Sequence, residues 1–294
     1  MNTDNSLQTL YQAIEYCAQA LADSGVFFGH GTDNPWDEAV QLVLFACDEP
    51  QNLAAEQAQR RLSERELNDI QQLLRERVVD GKPLPYLTGR AYFAGLEFIA
   101  DERALVPRSP IAELIEQQFY PWWIAPEGEA RILDLCCGGG SIGIACAVYI
   151  DAARVDLADI DRDALALADE NIAYHGVADR VRTVHSNGFA ALTDQRYDLI
   201  VCNPPYVNAL DLADMPREYQ HEPAIALGSG ADGLDFTRQL LAEVKNHLTP
   251  KGTLILEVGN SWPALEAAFP TLPFLWIELE RGGHGVCALQ AAQL

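Results

Sequence analysis

Asp134-Leu135-Cys136-Cys137-Gly138-Gly139-Gly140-Ser141-Ile142-Gly143 is an apolar run that breaks into glycines and then resumes as a helical pattern. A strand that turns sharply into a helix needs this composition, because glycine accepts positive φ and lets the backbone come close to a ligand. Outward from it, short apolar runs recur at Arg131 to Cys136, Val155 to Ile160, Val181 to Ser186, Tyr197 to Asn203 and Gly252 to Val258, separated by helical stretches. That alternation predicts a doubly wound, mainly parallel sheet. Two last runs, Phe274 to Glu280 and Gly285 to Gln290, are joined by Arg281-Gly282-Gly283-His284, a link too short for a parallel crossover. They are expected to pair as an antiparallel hairpin at the end of the sheet, which makes seven strands.

Upstream the pattern is helical. Leu7, Leu10, Tyr11, Ile14, Cys17 and Leu21 share one helical face. Asn34 before Pro35 reads as an N-cap and first turn, with Asp37 and Glu38 at the positive end of the helix dipole. Ser63 with Glu66 makes a second start, a capping box, and Gly81 ends that helix. Residues 82–108 change character, with Pro83, Pro85, Gly89 and Gly95 around the β-like run Tyr92 to Phe98. The expected organisation is a helical domain over 1–81, a β-hairpin linker over 82–108, and an α/β domain over 109–294 that Ser109-Pro110 opens with a helix.

The chain of 294 residues has 43 acidic and 20 basic side chains, a net charge of −23. Long-range steering therefore favours cationic partners and repels a phosphate backbone, so no direct nucleic-acid substrate is expected. No apolar run is long enough to span a bilayer, and the opening Met1-Asn2-Thr3-Asp4-Asn5 lacks the basic and apolar regions of a signal peptide. The expected location is the cytoplasm, with no membrane partner. Seven cysteines without a Cys-x-x-Cys pair fit reduced thiols, and no metal is expected.

A glycine-rich turn alone fits many ligands, or none. A carboxylate, Asp159, follows about twenty residues later at the end of the second predicted strand, where it can accept bonds from both hydroxyls of a ribose. Asp161 is expected to cap the next helix. The third strand ends in Ser186-Asn187-Gly188-Phe189, which offers a side-chain amide to an adenine edge and an aromatic ring to its face. The fourth ends in Asn203-Pro204-Pro205-Tyr206, for which a nicotinamide dehydrogenase has no use. The cofactor expected from this set is S-adenosylmethionine.

The tetrapeptide poses a chemical problem and answers it. A planar nitrogen conjugated to a carbonyl or an aromatic ring is a poor nucleophile, because its lone pair is delocalised. Two fixed acceptors can hold both hydrogens of an NH₂ group and aim the lone pair at a sulfonium methyl. The Asn203 side-chain oxygen and the Pro204 backbone carbonyl can be those acceptors. Consecutive prolines fix φ and remove competing donors, and Tyr206 would lay its ring over the planar group. No strong base is needed, since an N-methylated amide cation sheds its proton readily.

These residues carry a resemblance over nearly the whole chain. Tyr86-Leu87-Thr88-Gly89, Val106-Pro107-Arg108, the glycine turn, Asn203-Pro204-Pro205-Tyr206-Val207, Glu222-Pro223-Ala224-Ile225-Ala226-Leu227 and Gly230 to Leu234 resemble the protein-(glutamine-N5) methyltransferase family. One branch of that family modifies peptide release factors and another the third protein of the large ribosomal subunit. Pro107-Arg108-Ser109-Pro110-Ile111-Ala112-Glu113-Leu114-Ile115, Tyr219-Gln220-His221-Glu222-Pro223 and Gly259-Asn260-Ser261 look like the ribosomal branch. The resemblance implies a Rossmann-like class I methyltransferase fold with a small N-terminal helical domain that recognises the substrate.

It also implies site residues. Asp134, Gly138, Gly140, Asp159, Asn187 and Asn203 would line the cofactor pocket, and Asn203, Pro204, Pro205 and Tyr206 would receive the glutamine, with Asn203, Pro204 and Tyr206 as the catalytic set. Cys136 departs from the pattern, standing where relatives have the first glycine of the turn, and Asn187 replaces a common aspartate. Glu222 is a candidate for structuring the loop over the site. The competing expectations are methylation of a release factor, methylation of an exocyclic amine in nucleic acid, and a cofactor-binding assembly factor without turnover.

Overall fold

The computed structural model describes residues 8–54 and 56–294. Backbone contacts divide the chain into two compact units, one running through Ala91 and taking in Pro216–His221, the other Tyr92–Met215 with Glu222–Leu294.

The first unit is built on helices α1 (Leu10–Ser24), α2 (Pro35–Ala46), α3 (Glu64–Arg75) and α4 (Leu84–Thr88). The starts of α2 and α3 follow the predicted capping chemistry. Asn34 accepts from the Asp37 amide ahead of Pro35, and Ser63 and Glu66 form a complete capping box. A π-helical turn, Glu76–Asp80, continues α3 to Gly81, whose φ of 71° ends it. The apolar stripe of α1 is Leu10, Ala13, Ile14, Cys17 and Leu21, closed against Leu42, Val43, Ile70 and Leu74. Tyr11 was expected on that stripe, but it is exposed and packs edge-on against Trp36, with Ala13 in its place; Leu7 lies outside the described residues. Ahead of the hairpin, within the stretch 82–108, the chain adds the short helix α4, with Pro83 at its N-cap and Pro85 in its first turn. Proline at the start of a helix loses no hydrogen bond that the helix would have made.

Buried in this unit is Arg77, held by Glu38 at 2.5 Å, by Glu218 at 3.2 Å and by the Phe27 carbonyl at 2.7 Å. Glu218 comes from the segment that follows the Asn-Pro-Pro-Tyr strand by a dozen residues, so Arg77 clasps a distant stretch of chain into the helical unit.

The hairpin forms as expected, with β1 (Arg90–Phe93) paired to β2 (Leu96–Ile99). The second unit continues with α5 (Ile111–Glu116), β3 (Ala130–Leu135), α6 (Ser141–Tyr149), β4 (Ala153–Asp159), α7 (Arg162–His175), β5 (Val181–His185), β6 (Tyr197–Cys202) and α8 (Ala209–Ala213). It ends with α9 (Asp235–His247), β7 (Leu248–Glu257), α10 (Trp262–Ala268), β8 (Leu275–Trp276) and β9 (Val286–Gln290). The seven strands lie in the order β5-β4-β3-β6-β7-β9-β8. The first five are parallel, and β9 inserts antiparallel between β7 and β8. The predicted run from Phe274 to Glu280 shortens to the two residues of β8.

Helices cover both faces, which is why the strands read as continuous apolar runs. Along β3, Ile132 enters the core beneath α5 and α6, whereas Leu133 and Leu135 enter the opposite core beneath α9 and α10. The order reverses between β3 and β6: β4 and β5 lie to one side, β7 and the hairpin to the other. Ligands of doubly wound sheets bind beyond the carboxyl ends of the strands at that reversal.

Candidate active site

Leu135 pairs with Cys202 across β3 and β6, so the residues just beyond, the glycine turn and Asn203, emerge side by side at the reversal. Leu135 also pairs with Ala158 of β4, which brings Asp159 to the same rim. Three strand ends therefore present the predicted residues together.

The turn winds tightly. Cys136 takes φ of 63°, Gly138 53° and Gly140 81°. The left-handed conformation, easiest for glycine, is met at position 136 by a cysteine, at a cost of about 1–2 kcal/mol. Asp134 sits beneath the turn, 1% exposed. Its Oδ2 accepts the Gly143 amide at 2.8 Å, while Oδ1 is buried with no hydrogen-bond partner. Loss of hydration pushes its carboxyl up to about 7, the Gly143 amide opposes that shift, and the charge of Asp159 adds to it. A buried oxygen left without a partner at a strand end fits a cationic or donor group brought in by a ligand.

Asp159 is half-buried, with Oδ2 accepting from the Gly138 amide and Oδ1 from the Asp161 amide, both at 2.9 Å. Each oxygen keeps a further lone pair for a hydroxyl. Burial raises its pKa, and the two backbone amides oppose the rise. Asp161 caps α7 as predicted. Ile160, next to Asp159, is 45% exposed, an apolar side chain left at the rim. Its one signal in the sequence is its place right after the strand-end acid.

Asn187 is exposed beyond β5, in a loop pinned by Ser186 Oγ, which donates to the Gly188 carbonyl and accepts from the Ala191 amide. Phe189 does not offer its ring to a ligand. It is 4% exposed and stacked on His247 with centroids 4.1 Å apart, so it serves the core beneath α9. Strand-end aromatics go to whichever apolar surface is nearest, and here that is the protein's own.

Among the described residues no hydrogen bond engages the Asn203 side chain or the Pro204 carbonyl, so two acceptors stand unengaged at the end of β6. Pro204 is buried and Asn203 partly so. The Tyr206 ring is fixed by its phenol, which donates to Glu257 Oε1 at 3.1 Å, and Ser261 Oγ donates to the Tyr206 carbonyl at 2.8 Å. Two of the recognised motifs are now explained by one contact: Arg108 pairs with the buried Glu222 through both guanidinium arms, at 2.5 and 2.8 Å. Glu222 also accepts from the Val106 amide, tying the 106–108 segment to the loop that follows the tetrapeptide. Glu257 and Ser261 were not singled out from the sequence for these contacts, because side chains so far apart along the chain leave no local pattern.

A glycine turn at the reversal of a doubly wound sheet, an acid at the next strand end and an unengaged Asn-Pro pair define an S-adenosylmethionine-dependent methyltransferase. A family described as Methyltransferase small domain matches residues 123–217. The chain is 43% identical over 290 residues to a protein of Francisella tularensis, covering 99% of this chain and 92% of that one, named Ribosomal protein uL3 glutamine methyltransferase. It is 41% identical over 293 residues to a protein of the same name from Bordetella pertussis, covering 100% and 98%. Among solved structures, the hMettl16 catalytic domain in complex with MAT2A 3'UTR hairpin 6 superposes with a TM-score of 0.50 at 14% identity, covering 78% of this chain and 81% of that one, a likeness of fold alone. This chain belongs to the family of ribosomal protein uL3 glutamine methyltransferases.

Proposed function

We propose that this chain transfers a methyl group from S-adenosylmethionine to the side-chain amide nitrogen of a glutamine in the large-subunit ribosomal protein uL3, in the cytoplasm. The observation that carries the proposal is the pair of unengaged acceptors, Asn203 Oδ1 and the Pro204 carbonyl, beside the glycine turn.

When bound, S-adenosylmethionine supplies an electrophilic methyl on a sulfonium that loses its charge on transfer. Gly138 and Gly140 give the cofactor room, Asp159 accepts from its ribose hydroxyls, Asn187 accepts from the adenine amine, and Ile160 offers the adenine an apolar shelf. The unpartnered Asp134 oxygen meets a donor. Asn203 and Pro204 then each take one hydrogen of the glutamine NH₂, which turns the lone pair toward the methyl. Pro205 and Tyr206 close the subsite against water, and the proton leaves from the methylated nitrogen without a strong base. The helical domain, 1–81, recognises the substrate, with 82–108 as its linker to the methyltransferase domain, 109–294. A net charge of −23 suits a basic protein partner and opposes bare nucleic acid.

The test is incubation of the purified chain and methyl-labelled S-adenosylmethionine with a lysate from cells that lack it. Label is expected in one small basic protein of the large subunit, on a glutamine, and Asn203→Ala is expected to lower its rate by at least a hundredfold. Label in the nucleic-acid fraction would overturn the proposal.

A further inference from the structure

Glu257 is the last residue of β7, fully buried, and the carboxylate that receives the Tyr206 phenol. Its other oxygen accepts from Ser109 Oγ at 2.5 Å, and Ser109 Oγ in turn accepts from the Ile111 amide at 3.1 Å where α5 begins. Burial pushes the carboxyl up, and the two hydroxyls and the positive charge of Arg108 oppose it. Burying a carboxyl is costly unless its oxygens are satisfied, and both of these are. One of its two partners belongs to the tetrapeptide.

The surroundings restrict the Tyr206 ring further. Gly259 lies against the ring edge, where an added Cβ would stand 2.6 Å from Cε2, so a larger residue there would displace the ring. Ser261 fixes the Tyr206 carbonyl at the other end. A phenylalanine would fill the same apolar space but would lack the hydroxyl that sets the ring from Glu257.

We propose that Glu257 is a positioning residue for methyl transfer: through the Tyr206 phenol it holds the ring that walls the glutamine-amide subsite. It touches neither substrate nor cofactor. The inference rests on the site reading above, in which Tyr206 closes over the amide. Small displacements of a group that aligns reacting atoms can cost as much as a hundredfold in rate, so the loss belongs in kcat.

Four full-length variants test it: Tyr206→Phe, Glu257→Gln, the double variant and Asn203→Ala. For each, kcat and KM are measured with the protein substrate and with S-adenosylmethionine, together with S-adenosylhomocysteine affinity. Tyr206→Phe and Glu257→Gln are each expected to lower kcat about tenfold, the effect of one charge-assisted hydrogen bond, with cofactor KM and affinity unchanged. The double variant is expected to be no slower than the slower single, because both changes cut one link. Additive losses of about a hundredfold, or an unaltered kcat in Tyr206→Phe, would overturn the proposal. If Glu257→Gln does not fold, the kcat of Tyr206→Phe alone decides. Asn203→Ala separates the two failures. Full activity in that variant sinks the site reading, whereas an inactive Asn203→Ala beside fully active Tyr206→Phe and Glu257→Gln sinks only the role of Glu257.

Discussion

At Asp134 one side chain joins folding to the proposed cofactor site. Its carboxyl lies at about 7, against an ordinary value of 3.8. Between those values the folded chain holds a proton that the unfolded chain has released, so the stability tied to this residue is present at low pH and is lost as pH rises toward 7. The loss is on the order of a few kcal/mol. Asp134→Asn removes that titration. Denaturant midpoints measured across the window are expected to fall less with rising pH in the variant than in the parent; equal slopes would show that Asp134 is already ionised in the folded chain. Cys136 is a second residue-scale case. At φ of 63° glycine fits best and a β-branched residue worst. Cys136→Gly is expected to keep the fold, while Cys136→Val should cost about 1–2 kcal/mol in a denaturation series. The strand-end polar residues were legible because each sits where an apolar run stops. Glu257 and Ser109 were not, since their meaning lies in a contact between positions 148 residues apart.

Elements whose identity rests on local chemistry were read from sequence: the two capped helices, the cap of α7, five parallel strands and the terminal antiparallel pair. Misreadings occurred where tertiary packing outvoted local pattern. Phe189 turns into the core to stack on His247, and Tyr11 leaves the buried stripe of α1 to pack against Trp36. The clasp of Arg77 on Glu38 and Glu218 belongs to this scale too. Burial pushes the Glu218 carboxyl up, but the Phe27 amide and Arg77 outweigh it and hold it below the ordinary glutamate range. Arg77→Met leaves two buried carboxylates without their cation and is expected to destabilise the helical unit by about 3–5 kcal/mol. Two transitions in denaturant, with the earlier one advanced in the variant, would show this; a single unshifted transition would contradict it.

The molecule as a whole carries a net charge of −23, distributed over a fold whose ligand rim is set by strand order. An acidic enzyme and a basic protein associate faster at low ionic strength. KM for the protein substrate is therefore expected to rise with added salt while the affinity for S-adenosylhomocysteine stays nearly constant, a contrast that kinetics and calorimetry can measure side by side. Strand order itself was only partly legible. The alternating pattern specified a doubly wound sheet, but the placement of β6 beside β3, which brings Asn203 to the glycine turn, is a matter of strand order that no local motif spells out. The most direct measurement is a crystal structure of the chain with S-adenosylhomocysteine and a glutamine peptide. The expectation is a cofactor sulfur beside the end of β6, with the glutamine amide hydrogens on Asn203 Oδ1 and the Pro204 carbonyl. A carboxamide bound elsewhere, or a sulfur remote from Asn203, would contradict it.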